Sequence, residues 1–349
     1  GDVWSMGAVL FALLTGRGPR RTADGAAPSF ASVLDGTMGL EDFVALLEPD
    51  DLAALAYGDI EMDSPLGAPG NAGAFGGVTE RPRSLGVPPA ITTDGPSGIR
   101  LTATASLLPC GTALASTWDP GAVRAMAALH GREMAALGSE VLLSPGMNIH
   151  RDPLCGRNFE YLSEDPLLAG RVAAGITRGV QGHPGRGVTV KHFAFNNQET
   201  NRLNSCSHVS KRAARDLYLR SFEIVIRQAQ PHALMTSYNL LNGVHTSESA
   251  ELLESILRQE WGFAGLVMTD WVVDGMTRPD CAYPRATAAA TIKAGNELFM
   301  PGCEADRQDI LAALRGGDDQ VPLSRSELEK QAARVVRMAR ALAARREPV

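Results

Sequence analysis

Short apolar runs alternate with helical segments through most of this 349-residue chain, and this alternation constrains the fold more than any other feature. The predicted strands are residues 89–93, 141–144, 187–191, 233–237, 265–269 and 297–300. The predicted helices are residues 120–137, 165–181, 211–228, 250–261, 285–294 and 306–315, with an Arg/Ala-rich helix at 324–346. Six such units predict an α/β fold with a parallel sheet closed into a (β/α)8 TIM-like barrel. A doubly wound sheet ranks second, because no G-x-G-x-x-G fingerprint follows the first strand.

The N-terminal part of the chain differs from this pattern. Its first residues contain Asp-Val-Trp-Ser-Met-Gly, which resembles a short helix of the protein-kinase C-lobe, but the sequence has no other kinase motif. We therefore predict an extraneous or linker segment at 1–32 and a barrel domain at 33–349. A kinase-related regulator is a further hypothesis, which nucleotide binding would support. Within 39–56 the sequence predicts two short helices separated at Pro49, and 58–77 predicts a surface loop.

Composition excludes several classes of function. A net charge of −6 argues against nucleic acid and anionic membranes as partners. The five cysteines are widely spaced and form no C-x-x-C motif, so we expect reduced thiols and a cytoplasmic setting rather than disulfides or zinc. No apolar run of about 18 residues predicts a membrane span. Because the chain starts at Gly1 rather than Met, the lack of a signal peptide is weak evidence about location.

Polar and aromatic side chains follow the predicted strands, at the edge where barrels of this type build their active sites. The set comprises Asp94, Asn148, His150, Arg151, Arg157, Glu160, Lys191, His192, Asn196, Asn197, Glu199, Arg202, Met235, Ser237, Tyr238, Asn239, Asp270 and Trp271. Carboxylates accept hydroxyl hydrogens, Arg and Lys donate to ring hydroxyls, and an aromatic face packs against the C–H side of a pyranose. The set therefore predicts a site for a neutral sugar. No organic cofactor is implied, and no metal, because His150 and His192 each stand alone.

Several members of this set have a structural alternative. Asp270 alone could be a helix N-cap or a loop carboxylate, and Met235 could be a core residue. The possible loop-pinning ion pairs are Arg157 with Glu160 or Glu164, and Glu199 with Arg202. Lys191 could belong to a structural ion pair, and Asn196 and Asn197 could be turn residues.

Five segments, which include Gly-Arg-Asn-Phe-Glu and Lys-His-Phe, follow one another in a family-specific order. They are residues 94–100, 148–166, 190–202, 235–243 and 269–271. Together they resemble the barrel domain of glycoside hydrolase family 3, the β-glucosidase family, over about residues 33–345.

The resemblance implies a retaining, exo-acting β-glycosidase whose substrate is a β-glucoside or a related oligosaccharide. Asp270 matches the nucleophile that forms a covalent glycosyl-enzyme. The residues that match positions holding the terminal sugar are Asp94, Arg157, Lys191, His192 and Tyr238, and those that line the pocket are Met235 and Trp271. We also expect Arg157 and Lys191 to keep the nearby carboxylates ionised by lowering their pKa.

The resemblance leaves the acid/base unassigned. A retaining enzyme needs a second carboxyl about 5–5.5 Å from the first, and in β-glucosidases of this family a Glu of a separate α/β-sandwich domain supplies it. The N-acetylglucosaminidase branch instead carries Pro-Gly-His-Gly in a loop that here spans 194–199 and lacks this motif. Residues 34–47 resemble the junction of a subgroup whose sandwich domain precedes the barrel. We therefore expect a truncated or rearranged chain that takes its acid from a sandwich domain or an oligomer partner. The alternative is a catalytically impaired sugar-binding barrel.

Overall fold

The computed structural model of the protein describes residues 28–59, 62–274, 281–316 and 321–343. The kinase-like segment at the N-terminus lies outside the described residues. Among the described residues, no helix is both long and apolar enough to cross a membrane. All five cysteines are free thiols.

Six strands form the main sheet, in the order β1-β2-β3-β4-β6-β9, and three short strands form a second sheet. The strands are β1 (Ala74–Gly76), β2 (Pro89–Asp94), β3 (Val141–Leu143), β4 (Gly187–Phe193), β5 (Cys206–Ser207), β6 (Ala233–Thr236), β7 (Leu240–Leu241), β8 (Val244–His245) and β9 (Leu266–Met268). From β2 to β9 all neighbours in the main sheet are parallel, whereas β1 pairs antiparallel with β2. The predicted strand ends at 89–93, 187–191 and 265–269 therefore lie along one edge.

The main sheet closes on itself through residues outside the named strands. Leu298 forms a parallel bridge to β9, and Phe299 forms a parallel bridge to Tyr57. The Asp59 N–H then donates to the Ala74 carbonyl of β1 at 2.8 Å. Eight strand positions thus close the sheet, and the predicted α/β class with a TIM-like barrel is confirmed.

One prediction about the barrel wall was wrong, and another was right in position but not in length. Residues 58–77 do not form a surface loop throughout, because β1 is buried at all three positions and joins the sheet. A three-residue strand is too short to show the period-two pattern that identifies strands in a sequence. The predicted strand at 297–300 contributes only the bridges at Leu298 and Phe299.

Helices cover the outside of the sheet. The α-helices are Phe30–Leu34, Leu40–Ala45, Pro49–Leu55, Glu80–Ser84, Gly111–Ala115, Pro120–Leu137, Pro166–Gln181, Lys211–Ala213, Arg220–Ala229, Ala288–Lys293, Glu304–Arg315 and Arg325–Ala343. Ala214–Tyr218 and Glu251–Glu260 are π-helical, and Thr246–Glu248 is a 3₁₀ turn. The predicted break at Pro49 is confirmed, and the helix predicted at 211–228 is divided by its π-helical turn.

Asp-Pro pairs fix where the two longest helices of the first half begin. The Asp119 carboxylate accepts from the N–H groups of Gly121 and Ala122, and the Asp165 carboxylate accepts from the N–H of Leu167. Proline at the first helical position has no N–H to leave unpaired, and an N-cap carboxylate satisfies the donors that follow. These caps orient the helices that follow β2 and β3, so the loops between them reach over the carboxyl edge of the sheet.

Candidate active site

All eight residues predicted for the sugar site line one cavity of about 280 Å³ at the carboxyl edge of the sheet. The lining residues are Met62, Ala72, Asp94, Leu143, Arg157, Lys191, His192, Arg202, Met235, Tyr238, Asp270 and Trp271. Met62, Ala72, Leu143 and Arg202 were not among the eight. Arg202 was interpreted only as a loop cation, because nothing in its local sequence distinguishes a pocket cation from one that pins a turn.

Asp270 lies just after β9, with 8% of the residue exposed. Its Oδ1 accepts from the Trp271 N–H at 2.8 Å. Its Oδ2 lies 3.6 Å from Nε2 of His192 and has no hydrogen-bond partner among the described residues. The two oxygens therefore differ, since Oδ1 is fixed by the backbone and Oδ2 is unpaired.

Burial raises the pKa of Asp270, and the Trp271 N–H and the charges of Lys191, Arg157 and Arg202 only partly oppose it. The expectation that these cations hold the pKa of Asp270 below its usual value was wrong. A sequence shows which charges are near a carboxyl but not how completely the carboxyl is removed from water, and desolvation favours the neutral acid.

Asp94 has the opposite character. Its Oδ1 accepts from Lys191 Nζ and its Oδ2 from Arg100 Nη1, each at 2.9 Å. Burial alone would raise the pKa of Asp94, but Lys191, Arg100 and the Gly95 N–H together hold it below its usual value. For this carboxyl the expected effect of Lys191 is confirmed, whereas the second cation is Arg100 rather than the expected Arg157.

Two of the ion pairs that were considered as structural alternatives are present, and the arginine of each pair also lines the cavity. Arg157 pairs with Glu160, and the same guanidinium lines the cavity. Arg202 pairs with Glu199 at 3.1 Å, and its guanidinium carbon lies 4.9 Å from the ring centroid of Tyr238. Each carboxylate neutralises part of the charge and fixes the orientation of its arginine toward the cavity.

Lys191 and His192 are consecutive in β4, yet both line the cavity. Successive residues of a regular strand point to opposite faces. The pairing of β4 with β6 is irregular between Val190 and Phe193, and a bulge of this kind redirects side chains. The Asn148 side chain pairs with the backbone N–H and carbonyl of His192, both at 2.9 Å, and secures this segment.

Aromatic side chains form part of the cavity wall. The Tyr238 hydroxyl donates to the Trp271 carbonyl at 2.8 Å, and Trp271 Nε1 donates to the Ala72 carbonyl at 3.0 Å. Burial, together with the charge of Asp270, raises the pKa of Tyr238, so its hydroxyl stays protonated. Met235 is 1% exposed at the end of β6 and belongs to both the core and the lining.

The sheet closes into a barrel, and a cavity with charged and aromatic side chains lies at the carboxyl edge of its strands. The protein therefore belongs to the class of α/β barrels that bind their substrates in the loops after the strands. The sequence model of the glycosyl hydrolase family 3 N-terminal domain matches residues 77–338, and the chain belongs to this family.

Similar proteins carry β-glucosidase names. A β-glucosidase of Ruminococcus albus is 41% identical over 88% of this chain and 32% of its own length. A solved β-glucosidase of Paenibacillus barengoltzii has a TM-score of 0.84 and 40% identity over 95% of this chain and 36% of its own. β-Glucosidase 3B of Thermotoga neapolitana, solved with α-D-glucose, has a TM-score of 0.76 and 35% identity over 86% of this chain and 42% of its own. The chain thus spans about a third of the length of the curated relative.

Proposed function

We propose that this barrel carries the nucleophile and the sugar pocket of a retaining, exo-acting β-glycosidase of the β-glucosidase type. The observation that carries the proposal is the Asp270 carboxyl, which lines one cavity together with Arg157, Lys191 and His192. In the proposed reaction, a carboxylate oxygen of Asp270 attacks the anomeric carbon as the glycosidic C–O bond breaks, and the leaving oxygen takes a proton from an acid. Water then hydrolyses the resulting ester with release of the sugar.

The cavity offers the groups that a terminal pyranose requires. We assign Asp94, Arg157, Lys191, His192 and Tyr238 to the sugar hydroxyls, and Met235 and Trp271 to the pocket wall. Charged donors and acceptors give the strongest hydrogen bonds to hydroxyl groups. An indole face supplies the apolar contact for the C–H side of the ring.

Asp94 is unsuited to either catalytic carboxyl role. Both of its oxygens are ion-paired, to Lys191 and Arg100, so neither is free to attack carbon. Those same charges lower its pKa, whereas a general acid needs a carboxyl that stays protonated. Of the two carboxyls that line the cavity among the described residues, Asp270 is the one suited to be the nucleophile. We propose that the acid/base is a carboxyl of a sandwich domain or of a partner chain.

The division of the chain follows from the packing at its start. Phe30 is buried, with its ring centroid 6.3 Å from that of Phe43. We therefore propose that the barrel domain begins by Phe30, slightly before the predicted boundary of 33–349. The free thiols support a reducing, cytoplasmic location.

The proposal is tested by incubating the protein with a 2-deoxy-2-fluoro-β-glucosyl fluoride and recording its intact mass. Fluoride departs without an acid, and the fluorinated ester hydrolyses slowly, so one glycosyl adduct should accumulate. Asp270→Asn should form no adduct, whereas the matched control Asp216→Asn, which alters an exposed carboxylate paired with Arg212, should label like the wild type. A folded wild-type protein that gains no adduct would refute the proposal.

If the chain is instead a catalytically impaired sugar-binding barrel, its rate of hydrolysis should depend strongly on the leaving group of the glycoside. Without an acid, dinitrophenyl β-glycosides should react, while alkyl glycosides and cellobiose should not. Hydrolysis of cellobiose by the monomer at an undiminished rate would exclude this alternative. Repeating the assay with aryl glucosides, xylosides and galactosides would identify the terminal sugar.

A further inference from the structure

Tyr161 had no role in the sequence interpretation, yet its hydroxyl lies directly behind the candidate site. Tyr161 is fully buried, and its hydroxyl oxygen lies 3.3 Å from Nδ1 of His192. Asn196 donates to the same oxygen from Nδ2 at 2.9 Å. The Tyr161 and His192 rings meet edge to face, with centroids 6.2 Å apart.

The hydrogens of this cluster can be assigned from its donors and acceptors. Nδ2 of Asn196 also lies 3.5 Å from a carboxylate oxygen of Glu199, which can only accept, so the amide nitrogen rather than its oxygen faces this side. An amide nitrogen can only donate, so the Tyr161 oxygen accepts from Asn196. The single hydroxyl hydrogen of Tyr161 is then available for Nδ1 of His192.

The protonation states agree with this assignment. Burial raises the pKa of Tyr161, so it stays a donor. Burial and the charges of Arg157, Lys191 and Arg202 place the pKa of His192 well below its usual value, so the imidazole is neutral. A neutral imidazole carries one hydrogen, and a ring whose Nδ1 accepts must carry that hydrogen on Nε2.

We propose that Tyr161 is a positioning residue that holds His192 in the Nε2–H tautomer, with that hydrogen directed toward Oδ2 of Asp270. Nε2 and Oδ2 are 3.6 Å apart, so a small movement on sugar binding completes the contact. The Nε2–H then orients the attacking oxygen or donates to a sugar hydroxyl beside it. This role rests on the proposed function of Asp270, whereas the tautomer itself does not.

The tautomer is measured directly by nitrogen NMR of the ¹⁵N-histidine-labelled protein, in which His192→Asn identifies the His192 signals among the seven histidines. Wild-type His192 should show a protonated Nε2 and an unprotonated Nδ1. Tyr161→Phe keeps the ring but removes the hydroxyl, and should convert His192 to a mixture of tautomers. Tyr218→Phe, in a half-buried tyrosine that packs on Phe195 outside the cavity, is the matched control and should leave the spectrum unchanged.

The same variants are compared in the labelling reaction with the fluoro sugar. The maximal labelling rate of Tyr161→Phe should fall about three- to tenfold, the range that one buried hydrogen bond supplies. Tyr218→Phe should label like the wild type. Thermal unfolding of each variant establishes that the fold persists.

The outcomes separate the two proposals. If the His192 tautomer is unchanged in Tyr161→Phe, the positioning role is overturned, even if labelling slows. The role is also overturned if the tautomer of Tyr161→Phe changes but its labelling rate equals that of the wild type. Labelling of the wild type at Asp270 in either case leaves the proposed function standing. If the wild type shows the expected tautomer but is not labelled, the proposed function is refuted. Only the hydrogen bonds that join Asn196, Tyr161 and His192 then stand.

Discussion

The strongest test of the sugar pocket is the substitution Asp94→Asn, which keeps the shape of the side chain and removes its charge. Asp94 joins Lys191, whose side chain is 6% exposed, and Arg100, whose side chain is 73% exposed. The substitution therefore changes two properties together, the stability of the fold and the affinity for the sugar. Arg100→Met removes only the exposed partner and serves as the matched control.

Loss of the ion pair with Lys191 should cost more stability than loss of the ion pair with Arg100. Removing one member of a buried, hydrogen-bonded charge pair costs about 2–5 kcal/mol, because the remaining charge is left without a partner. Since Asp94 is itself a third exposed, we expect the lower part of that range, about 2–3 kcal/mol, for Asp94→Asn. The exposed pair with Arg100 contributes about 1 kcal/mol or less.

Asp94→Asn should weaken sugar binding more than the control Arg100→Met does. Loss of one charge-assisted hydrogen bond to a hydroxyl costs about 1.5–3 kcal/mol. At 1.36 kcal/mol per tenfold change, the concentration of fluoro sugar that gives half-maximal labelling should rise about 10- to 150-fold in Asp94→Asn. Arg100→Met should change it by less, because Lys191 still holds the Asp94 carboxylate.

Urea unfolding, followed by the fluorescence of the four tryptophans, measures the first quantity, and labelling kinetics by intact mass measure the second. A variant Asp94→Asn that is destabilised but labels at wild-type concentrations would show that Asp94 is only a structural partner of Lys191. Equal losses of stability in Asp94→Asn and Arg100→Met would refute the argument from burial.

Two further predictions concern other charges of the barrel. Glu297→Gln should lower the free energy of unfolding by about 3–5 kcal/mol in urea, because fully buried Glu297 accepts from Arg258 and Arg334: Arg258 would lose this carboxylate, and Arg334 would keep its ion pair with Glu254 alone. Asp270→Asn should raise the free energy of unfolding by about 1 kcal/mol at pH 7, because the folded state favours the uncharged form of Asp270. Wild-type labelling should slow as the pH falls through the raised pKa of Asp270.

The sign of the Asp270 effect follows from linkage. Because the pKa of Asp270 is higher in the folded than in the unfolded chain, the penalty for ionised Asp270 is present above the folded-state pKa. It disappears below the ordinary Asp value of about 3.9, where both states are protonated. The advantage of Asp270→Asn should therefore vanish in acid. A stability advantage of Asp270→Asn that stays constant from pH 7 to pH 3 would contradict this account. For the other variant, Glu297→Gln, an unchanged urea midpoint would contradict the prediction of a lower free energy of unfolding.

Most of the candidate site could be predicted because its residues stand at strand ends. Asp94, Lys191 and Asp270 each end or follow an apolar run, and parallel strands bring their carboxyl ends to one edge. Placement along the sequence thus implied proximity in space. Arg157 and Tyr238 also belonged to the set that follows the predicted strands, and the family motifs added their assignment to the terminal sugar.

The remaining features depend on contacts that leave no local pattern. The strand β1 has three residues, and the closure through Tyr57 and Phe299 consists of single bridges. Arg202 reaches the cavity by packing on Tyr238, a contact between loops that are far apart in the sequence. Tyr161 acts behind the lining, so neither its residue type nor its spacing distinguished it from a core aromatic.

The raised pKa of Asp270 and its proposed role as nucleophile have one structural origin. A second donor on Oδ2 would lower the pKa and stabilise the folded protein, because a hydrogen bond to the charged form offsets part of its desolvation. Oδ2 instead has no hydrogen-bond partner among the described residues, and Nε2 of His192 lies 3.6 Å away. Lys191, Arg157 and Arg202 favour the ionised carboxylate without a hydrogen bond to it among the described contacts. The arrangement keeps the charge available at some expense in stability, which is why Asp270→Asn should be the more stable and the unreactive protein.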